Sequence, residues 1–320
     1  MDDNNISLND LMDSQPVESP DPLTIDYIGV VGGGIMGRGI AQTFASCGLN
    51  VLIVEKDEEC ARRTLNGLNE NMDREIQRWA MTEAEKKSIL SRIKITTDIE
   101  ECRNVDFVVE AVDEKFDLKQ RLFEQLETVV RPGTICASNS STLSLTKITR
   151  HLKHRENVIG LHFVNPVPKT QLVEIVRALH TSDETFRRTK ELMERVGKIP
   201  VEVFEYPGFI VTRVLIPMLN EAMHILMEGV ASAEDIDKAM RLALNLPMGP
   251  LEIADGMGLE EVLAMMEALF HQLGEPRYRP CPLLRKLVRE QKFGKKSGEG
   301  FFKYDSNGKR IEPSTEGEKK

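Results

Sequence analysis

The sequence DYIGVVGGGIMG, at positions 26–37, joins a short apolar run to a cluster of glycines. The run 27–31 is rich in β-branched residues and nearly free of polar ones, which is typical of a strand buried on both faces of a parallel sheet. From Ile35 to Cys47 the apolar residues recur at helical spacing. The stretch therefore predicts a strand, a tight turn and a helix in direct succession.

Three glycines of this turn, Gly32, Gly34 and Gly37, fit the pattern G-x-G-x-x-G. In a dinucleotide site the first makes the turn, the second lets the backbone approach a pyrophosphate, and the third allows close packing of helix and strand. Eighteen residues after Gly37, Glu55 ends the next apolar run. An acid there accepts hydrogen bonds from the adenosine ribose and repels a 2′-phosphate, so the pattern predicts NAD rather than NADP. The alternative is a flexible turn with a surface glutamate.

Strand-like and helix-like segments alternate from residue 25 to residue 205, which indicates βαβ units. After Tyr206-Pro207-Gly208 the apolar period becomes helical. The predicted architecture is α/β, with an N-terminal Rossmann-like, doubly wound, mostly parallel sheet and a C-terminal all-helical domain. We divide the chain into a disordered acidic leader (1–24), a nucleotide-binding domain (25–206), a helical domain (207–305) and a polar tail (306–320).

Composition excludes several classes of protein. Hydrophobic residues make up 41% and charged residues 29% of the 320 residues, as in soluble globular proteins, and no apolar stretch is long enough to predict a transmembrane helix. The net charge is −9, but six acids lie in residues 1–25, and the remaining chain carries only −3. Such a chain is a poor match to nucleic acid. Five scattered cysteines without a CxxC pair predict neither a disulfide framework nor a zinc site and indicate a cytoplasmic location.

One histidine differs from the other five in its surroundings. His162 ends a predicted strand, at the edge where open α/β sheets bind ligands. Glu174 lies in the apolar alternation 172–176, where a carboxylate is costly unless it has a partner. Paired with Glu174, His162 would be an oriented general base. On these two residues alone, a core histidine and an unrelated edge-strand glutamate remains the favoured interpretation.

A polar turn, 138–142, follows another predicted strand. Its hydroxyl and amide groups can hold a nicotinamide ribose and a substrate oxygen, or they can simply cap the next helix. No G-x-S-x-G pattern surrounds these serines, so a serine hydrolase is not predicted. No H-E-x-x-H motif or carboxylate cluster suggests a metal.

Several ordered blocks of the chain resemble the 3-hydroxyacyl-CoA dehydrogenase family, which includes the bacterial 3-hydroxybutyryl-CoA dehydrogenases. The likeness runs from about Asp26 to Tyr304. It is carried by the glycine turn at 32–39 and by the segments 108–112, 137–141, 161–168, 172–174, 207–211, 247–250 and 294–301.

The resemblance implies an NAD-dependent oxidation of (S)-3-hydroxyacyl-CoA to 3-ketoacyl-CoA, or its reverse. It makes His162 the general base and Glu174 its orienting acid, and it puts Ser141 on both substrate and nicotinamide. It places Arg63 near the region that binds the CoA phosphates. Helices of the second domain pair between subunits in this family, which implies a homodimer, although the apolar stripe from Val211 to Leu226 could equally pack within one subunit. With the motif, it implies these NAD contacts: Gly32, Gly34, Ile35, Met36, Gly37, Glu55, Ala111, Glu114, Lys119, Asn139, Asn165 and Lys296.

Thr212 departs from the family pattern, because an asparagine usually follows Gly-Phe-Ile-Val in the active site. Threonine keeps a hydroxyl donor but has lost the amide, so we expect it to act with Ser141 on the substrate oxygens at an altered rate or specificity. Two rival hypotheses follow: a dehydrogenase of a free hydroxy acid or sugar acid, and a catalytically impaired protein that binds NAD or CoA.

Overall fold

The structure, a computed structural model, describes residues 25–311, and the predicted leader at 1–24 lies outside the described residues. Eight strands form one sheet. In chain order they are β1 (Tyr27–Val31), β2 (Asn50–Val54), β3 (Ile93–Thr96), β4 (Phe107–Glu110), β5 (Ile135–Ser138), β6 (Val158–Phe163), β7 (Leu172–Arg177) and β8 (Ile199–Phe204). Their spatial order is β3-β2-β1-β4-β5-β6-β7-β8, and only β6 and β7 run antiparallel.

The described chain also contains eleven α-helices. Those of the first domain are α1 (Ile35–Ser46), α2 (Glu58–Gln77), α3 (Glu83–Leu90), α4 (Phe116–Val129), α5 (Leu145–Ile148) and α6 (Asp183–Arg195). Those of the second domain are α7 (Val211–Met227), α8 (Ala233–Leu244), α9 (Pro250–Met257), α10 (Leu259–Leu273) and α11 (Pro282–Arg289). The predicted fold class, a mostly parallel Rossmann-like sheet followed by a helical domain, is confirmed.

The sheet is covered on both faces, which explains why its strands are continuously apolar. Along β2, Val51 and Ile53 enter the core shared with α1, α2 and α6. The alternate residues Leu52 and Val54 enter the core shared with α4 and α5. Because successive side chains of a strand point to opposite faces, no position in β2 after its first residue is left for a polar side chain.

The helical domain has its own core. Leu219, Ala222 and Met223 of α7 are buried in it, whereas Val214 of the same predicted stripe is 68% exposed. The stripe therefore packs partly within the subunit and partly faces outward. No helix between residues 25 and 311 is both long enough and apolar enough to cross a membrane.

Two features differ from the sequence prediction. The short strand β3 was not predicted, because its four residues, Ile-Lys-Ile-Thr, form a partly exposed sheet edge with too little apolar pattern to reveal it. The first described residues of the predicted tail also fold back on the chain. Ile311 N donates to the carbonyl of Lys303 at 2.8 Å, and Asp305 N donates to that of Lys309 at 2.9 Å.

Candidate active site

A cavity of about 690 Å³ lies at the carboxyl ends of β1, β2 and β4. The strand order reverses between β1 and β4, the position at which open α/β sheets bind ligands. The glycine turn, the end of β2 and residues of α2 and α4 line the cavity.

The glycines of this turn are required by space as well as by backbone conformation. Gly32 has φ +96°, and a Cβ there would lie 2.8 Å from the carbonyl oxygen of Ala111. A Cβ on Gly37 would lie 1.8 Å from the Gly32 carbonyl, whereas one on Gly34 would meet nothing within 4 Å. The turn is therefore tightly packed at Gly32 and Gly37 and open at Gly34. This is the arrangement that lets backbone N–H groups at the start of α1 reach a pyrophosphate, so the residues present fit a dinucleotide.

Glu55 borders the same cavity at the end of β2. One of its oxygens, Oε1, accepts from Gly33 N at 2.8 Å and from the Thr64 hydroxyl at 2.6 Å. The carboxylate is thus held in place by the turn after β1 and by α2.

His162 and Glu174 are directly opposite each other in the antiparallel pair β6–β7. Their side chains meet, with Nδ1 of His162 2.5 Å from Oε2 of Glu174. Both residues are buried, with relative exposures of 9% and 1%. Because an ionised carboxylate only accepts, the imidazole donates from Nδ1, which leaves Nε2 as the nitrogen that can take a proton.

The other oxygen of Glu174 caps the first helix of the second domain. Oε1 accepts from Ile210 N at 2.9 Å and from Val211 N at 3.1 Å, at the start of α7. Burial raises the pKa of the Glu174 carboxyl, but the His162 hydrogen bond and the two helix amides outweigh burial, and the pKa lies below its ordinary value. The group is therefore a carboxylate at neutral pH.

The connection between the domains touches the same imidazole. Phe209 has φ +47°, and its ring centroid lies 5.4 Å from that of His162. Thr212 follows in the first turn of α7 and is buried. A second link joins the domains where Gln272 Nε2, on α10, donates to the carbonyl of Thr142 at 3.0 Å.

The polar turn after β5 is held by an ionic network whose inner members, Glu110 and Lys119, are buried and whose outer member, Glu114, is partly exposed. Oε1 of Glu114 accepts from Ser141 N and from both N and Oγ1 of Thr142, each at 3.1 Å. Lys119 Nζ lies 3.2 Å from Oε2 of Glu114 and 2.5 Å from Glu110. Burial raises the pKa of Glu114, but the Lys119 ammonium and these donors bring the pKa below its ordinary value. The network therefore fixes the backbone that presents Ser141.

Two profiles of one family match the chain in succession. The profile of the 3-hydroxyacyl-CoA dehydrogenase NAD binding domain matches residues 27–206, and that of the 3-hydroxyacyl-CoA dehydrogenase C-terminal domain matches residues 208–304. A probable 3-hydroxybutyryl-CoA dehydrogenase of Bacillus subtilis is 45% identical over 283 residues, which cover 88% of this chain and 99% of that protein. The crystal structure of (S)-3-hydroxybutyryl-CoA dehydrogenase from Ralstonia eutropha matches with a TM-score of 0.81 and 41% identity, covering 88% of this chain and 100% of that one.

The chain belongs to the 3-hydroxyacyl-CoA dehydrogenase family. The human mitochondrial hydroxyacyl-coenzyme A dehydrogenase is a further relative, 38% identical over 88% of this chain and 92% of that protein. The predicted family, the oxidoreductase class and NAD as cofactor are thereby confirmed. No group of three or more His, Cys, Asp or Glu side chains in residues 25–311 is arranged to hold a metal ion.

Other predicted contacts of this family member lie in different parts of the structure. Ala111 and Arg63 line the same nucleotide cavity as Glu55, and Arg63 donates to the Cys60 sulfur at 2.9 Å. Asn139 accepts from Phe163 N at 3.0 Å and so ties the polar turn to the residue after His162. Lys296 pairs with Glu260 in the helical domain and is not among the residues that line the cavity. Ile35, a further predicted contact, is the first residue of α1 and is 66% exposed.

Sequence reasoning missed two residues that hold this site together. Glu110 is fully buried at the end of an apolar strand. A carboxylate in an apolar strand was the signal that singled out Glu174, and it could have identified Glu110 too. Thr64 carried no comparable signal, because a threonine in a helix is unremarkable until the fold brings Glu55 beside it.

Proposed function

We propose that this family member oxidises the 3-hydroxyl of an (S)-3-hydroxyacyl-CoA to the 3-ketone with NAD, and catalyses the reverse reaction. In the forward direction the O–H bond breaks with its proton going to a base, and the C3–H bond breaks with its electron pair leaving as hydride. The observation that carries the proposal is the buried pair of His162 and Glu174, with Nδ1 and Oε2 2.5 Å apart.

His162 is the base in this proposal. Nε2 takes the hydroxyl proton while Nδ1 stays bonded to Glu174. The carboxylate stabilises the imidazolium that forms, and its bonds to Ile210 N and Val211 N keep it from turning away. Orientation and charge support of this kind are what a general base needs near neutral pH.

Ser141 and Thr212 polarise the substrate oxygens. Support comes from the network that holds the Ser141 backbone through Glu114, and from the position of Thr212 one residue after the Val211 amide that binds Glu174. NAD supplies the hydride acceptor when it is bound. Gly32, Gly34 and Glu55 would hold its pyrophosphate and adenosine ribose.

A comparison of substrates tests the proposed chemistry. The purified protein is assayed by NADH absorbance with 3-hydroxyacyl-CoA thioesters of increasing acyl length, and in parallel with the free acids. We expect turnover of the thioesters and a kcat/KM for the free acids that is lower by several orders of magnitude. Equal turnover of a free hydroxy acid would contradict the acyl-CoA assignment, and tight NADH binding without turnover of any substrate would indicate an impaired homologue.

A homodimer through the helical domain is part of the proposal. Large apolar side chains on and between α7 and α8 face outward, including Val214 at 68%, Val230 at 70% and Leu242 at 77% exposure. Because α7 and α8 are in contact, exposed apolar side chains on both elements favour a protein interface there. We expect a dimer by analytical ultracentrifugation and a monomer for Val214→Asp/Leu242→Asp. Leu179→Asp, at 75% exposure in the first domain, is the matched control.

A cytoplasmic location completes the proposal. All five cysteines are free, and four of them are buried. Burial raises the pKa of the Cys102 and Cys136 thiols to about 12, so they stay protonated and inert. Cell fractionation tests the location, and recovery outside the cytoplasm would contradict it.

A further inference from the structure

We infer that Thr64 is the positioning residue that holds Glu55 in place for the adenosine ribose and so sets the preference for NAD over NADP. The inference rests on the ribose-binding role proposed for Glu55. Thr64 borders the nucleotide cavity with almost none of its surface exposed, and in this proposal it acts through the Glu55 carboxylate.

The hydroxyl of Thr64 is committed to Glu55. Thr64 is 2% exposed on α2, and its Oγ1 lies 2.6 Å from Oε1 of Glu55 and 3.1 Å from the carbonyl oxygen of Gly33. The hydroxyl carries one proton, and the shorter contact with an anionic oxygen is the stronger of the two. Thr64 therefore donates to Glu55.

Oε1 of Glu55 is thereby occupied from two sides. It accepts from Thr64 and also from Gly33 N at 2.8 Å. A carboxylate has a second oxygen with its own acceptor sites, and within residues 25–311 no hydrogen bond engages Oε2 of Glu55, which leaves this oxygen available to the ribose hydroxyl. Two donors from different elements hold Oε1 in place and so restrict rotation of the carboxylate, and the ribose contact needs such a fixed orientation.

Gly33, the second residue of the glycine motif, lies against both Thr64 and Glu55. A Cβ on Gly33 would lie 2.3 Å from Oγ1 of Thr64 and 2.6 Å from Oε1 of Glu55. No positive φ is required at Gly33, so the restriction is spatial. The close approach of Thr64 and Glu55 thus explains why a position that the motif leaves open is a glycine here.

The surrounding charges make the orientation of Glu55 decisive. Arg38, Lys56 and Arg63 also line the cavity. Their positive charge attracts any phosphate, and a 2′-phosphate is excluded only while the Glu55 carboxylate occupies the position beside the ribose. If Glu55 turned away, the same cavity would favour NADP.

Direct binding of reduced cofactors to the Thr64→Val variant tests the inference. The substitution keeps the shape of the side chain and removes the donor. We expect the Kd for NADH, measured by fluorescence titration, to rise about tenfold, equivalent to about 1.4 kcal/mol. We expect the ratio of NADPH to NADH Kd values to fall by at least about the same factor. Thr64→Ser should restore both values.

Thr189→Val is the matched control. Thr189 is also a buried threonine in a helix, α6, and its hydroxyl donates to the Thr185 carbonyl at 2.7 Å. The Kd values of Thr189→Val for NADH and NADPH should not change.

The binding of ADP and 2′-deoxy-ADP is a second measurement, which a purely structural role of Thr64 would not change. Wild type should prefer ADP, and Thr64→Val should lose most of that preference. Should Thr64→Val fail to fold, Thr64→Ala removes the same donor and is read in the same way.

The Glu55→Gln variant distinguishes a failure of the positioning role of Thr64 from a failure of the ribose-binding role of Glu55. Loss of ADP preference in Glu55→Gln with full retention in Thr64→Val would overturn the inference alone. Retention in both variants would overturn the ribose role of Glu55 and the inference with it. Loss in both, with recovery in Thr64→Ser, supports both.

Discussion

Glu174 and His162 are register partners in the one antiparallel pair of the sheet, and their side chains meet at 2.5 Å. Directly opposed residues share a face of the sheet, so strand backbones rather than a loop set the distance between the two groups. The same carboxylate caps α7, the first helix of the second domain. The orientation of the proposed base is therefore tied to the docking of the helical domain.

His162→Ala should remove turnover and leave NAD binding nearly intact, because the imidazole lies in the β6–β7 pair and not among the residues that line the nucleotide cavity. We expect kcat to fall by about 10²–10⁴, the usual contribution of a general base. Steady-state kinetics and NADH titration measure the two effects. His154→Ala, whose side chain is 60% exposed, is the control. Wild-type kcat in His162→Ala would end the assignment.

Glu174→Gln should lower kcat by on the order of 10²-fold, since the variant keeps the shape but no longer stabilises an imidazolium. The neutral amide should also weaken the cap on α7, which a lower melting temperature would report. Glu202→Gln, on the neighbouring strand β8, is a suitable comparison because the Glu202 side chain is 42% exposed and forms an ion pair with Arg177 at 3.3 Å. Similar kinetics in the two variants would contradict the role of Glu174.

Lys119→Met should be strongly destabilising, because it leaves the fully buried Glu110 carboxylate without its cation. Breaking a buried ion pair from one side costs about 3–5 kcal/mol, and urea denaturation measures the loss. Arg103→Met removes a pair of similar length, 2.7 Å from Glu100, between side chains that are 65% and 55% exposed. That control should leave the free energy of unfolding nearly unchanged. A Lys119→Met variant as stable as Arg103→Met would be inconsistent with the network.

Acid should weaken the contribution of Glu114 to stability. The pKa of Glu114 in the folded protein lies below its ordinary value of 4.5, so its stabilising contribution is present above that value and is lost as pH falls through the folded pKa. The difference in unfolding free energy between wild type and Glu114→Gln should therefore shrink from about pH 6 to about pH 3. A difference that grows on acidification would show that the sign is wrong.

Thr212→Val should lower kcat while the Kd for NADH stays constant, because the variant removes a hydroxyl from the proposed substrate side of the site. Losing one oriented donor costs about 2.7–4 kcal/mol of barrier when nothing replaces it. Thr212→Asn, which introduces the residue usual in the family, should retain activity, and its activity is compared with that of the wild type over a series of acyl lengths. Unchanged kcat in Thr212→Val would remove Thr212 from the proposed machinery.

Much of the fold could be predicted because its signals are local. Alternating apolar runs and helical periods, and the change of period after Gly208, gave the two domains. The glycine turn and Glu55 indicated a dinucleotide because strand, turn, helix and acid follow one another along the chain. A costly carboxylate in an apolar strand led to Glu174.

Tertiary structure decided the contacts between side chains that belong to different elements of the fold. Glu110, Lys119 and Glu114 meet only because β4 and α4 pack as they do, and Thr64 reaches Glu55 only because α2 lies across the end of β2. The resemblance implies that Lys296 is a cofactor contact, and only the tertiary structure shows that its side chain also pairs with Glu260. Periodicity and motifs report the conformation of neighbouring residues, whereas the direction of a side chain and its partner depend on how complete elements pack together.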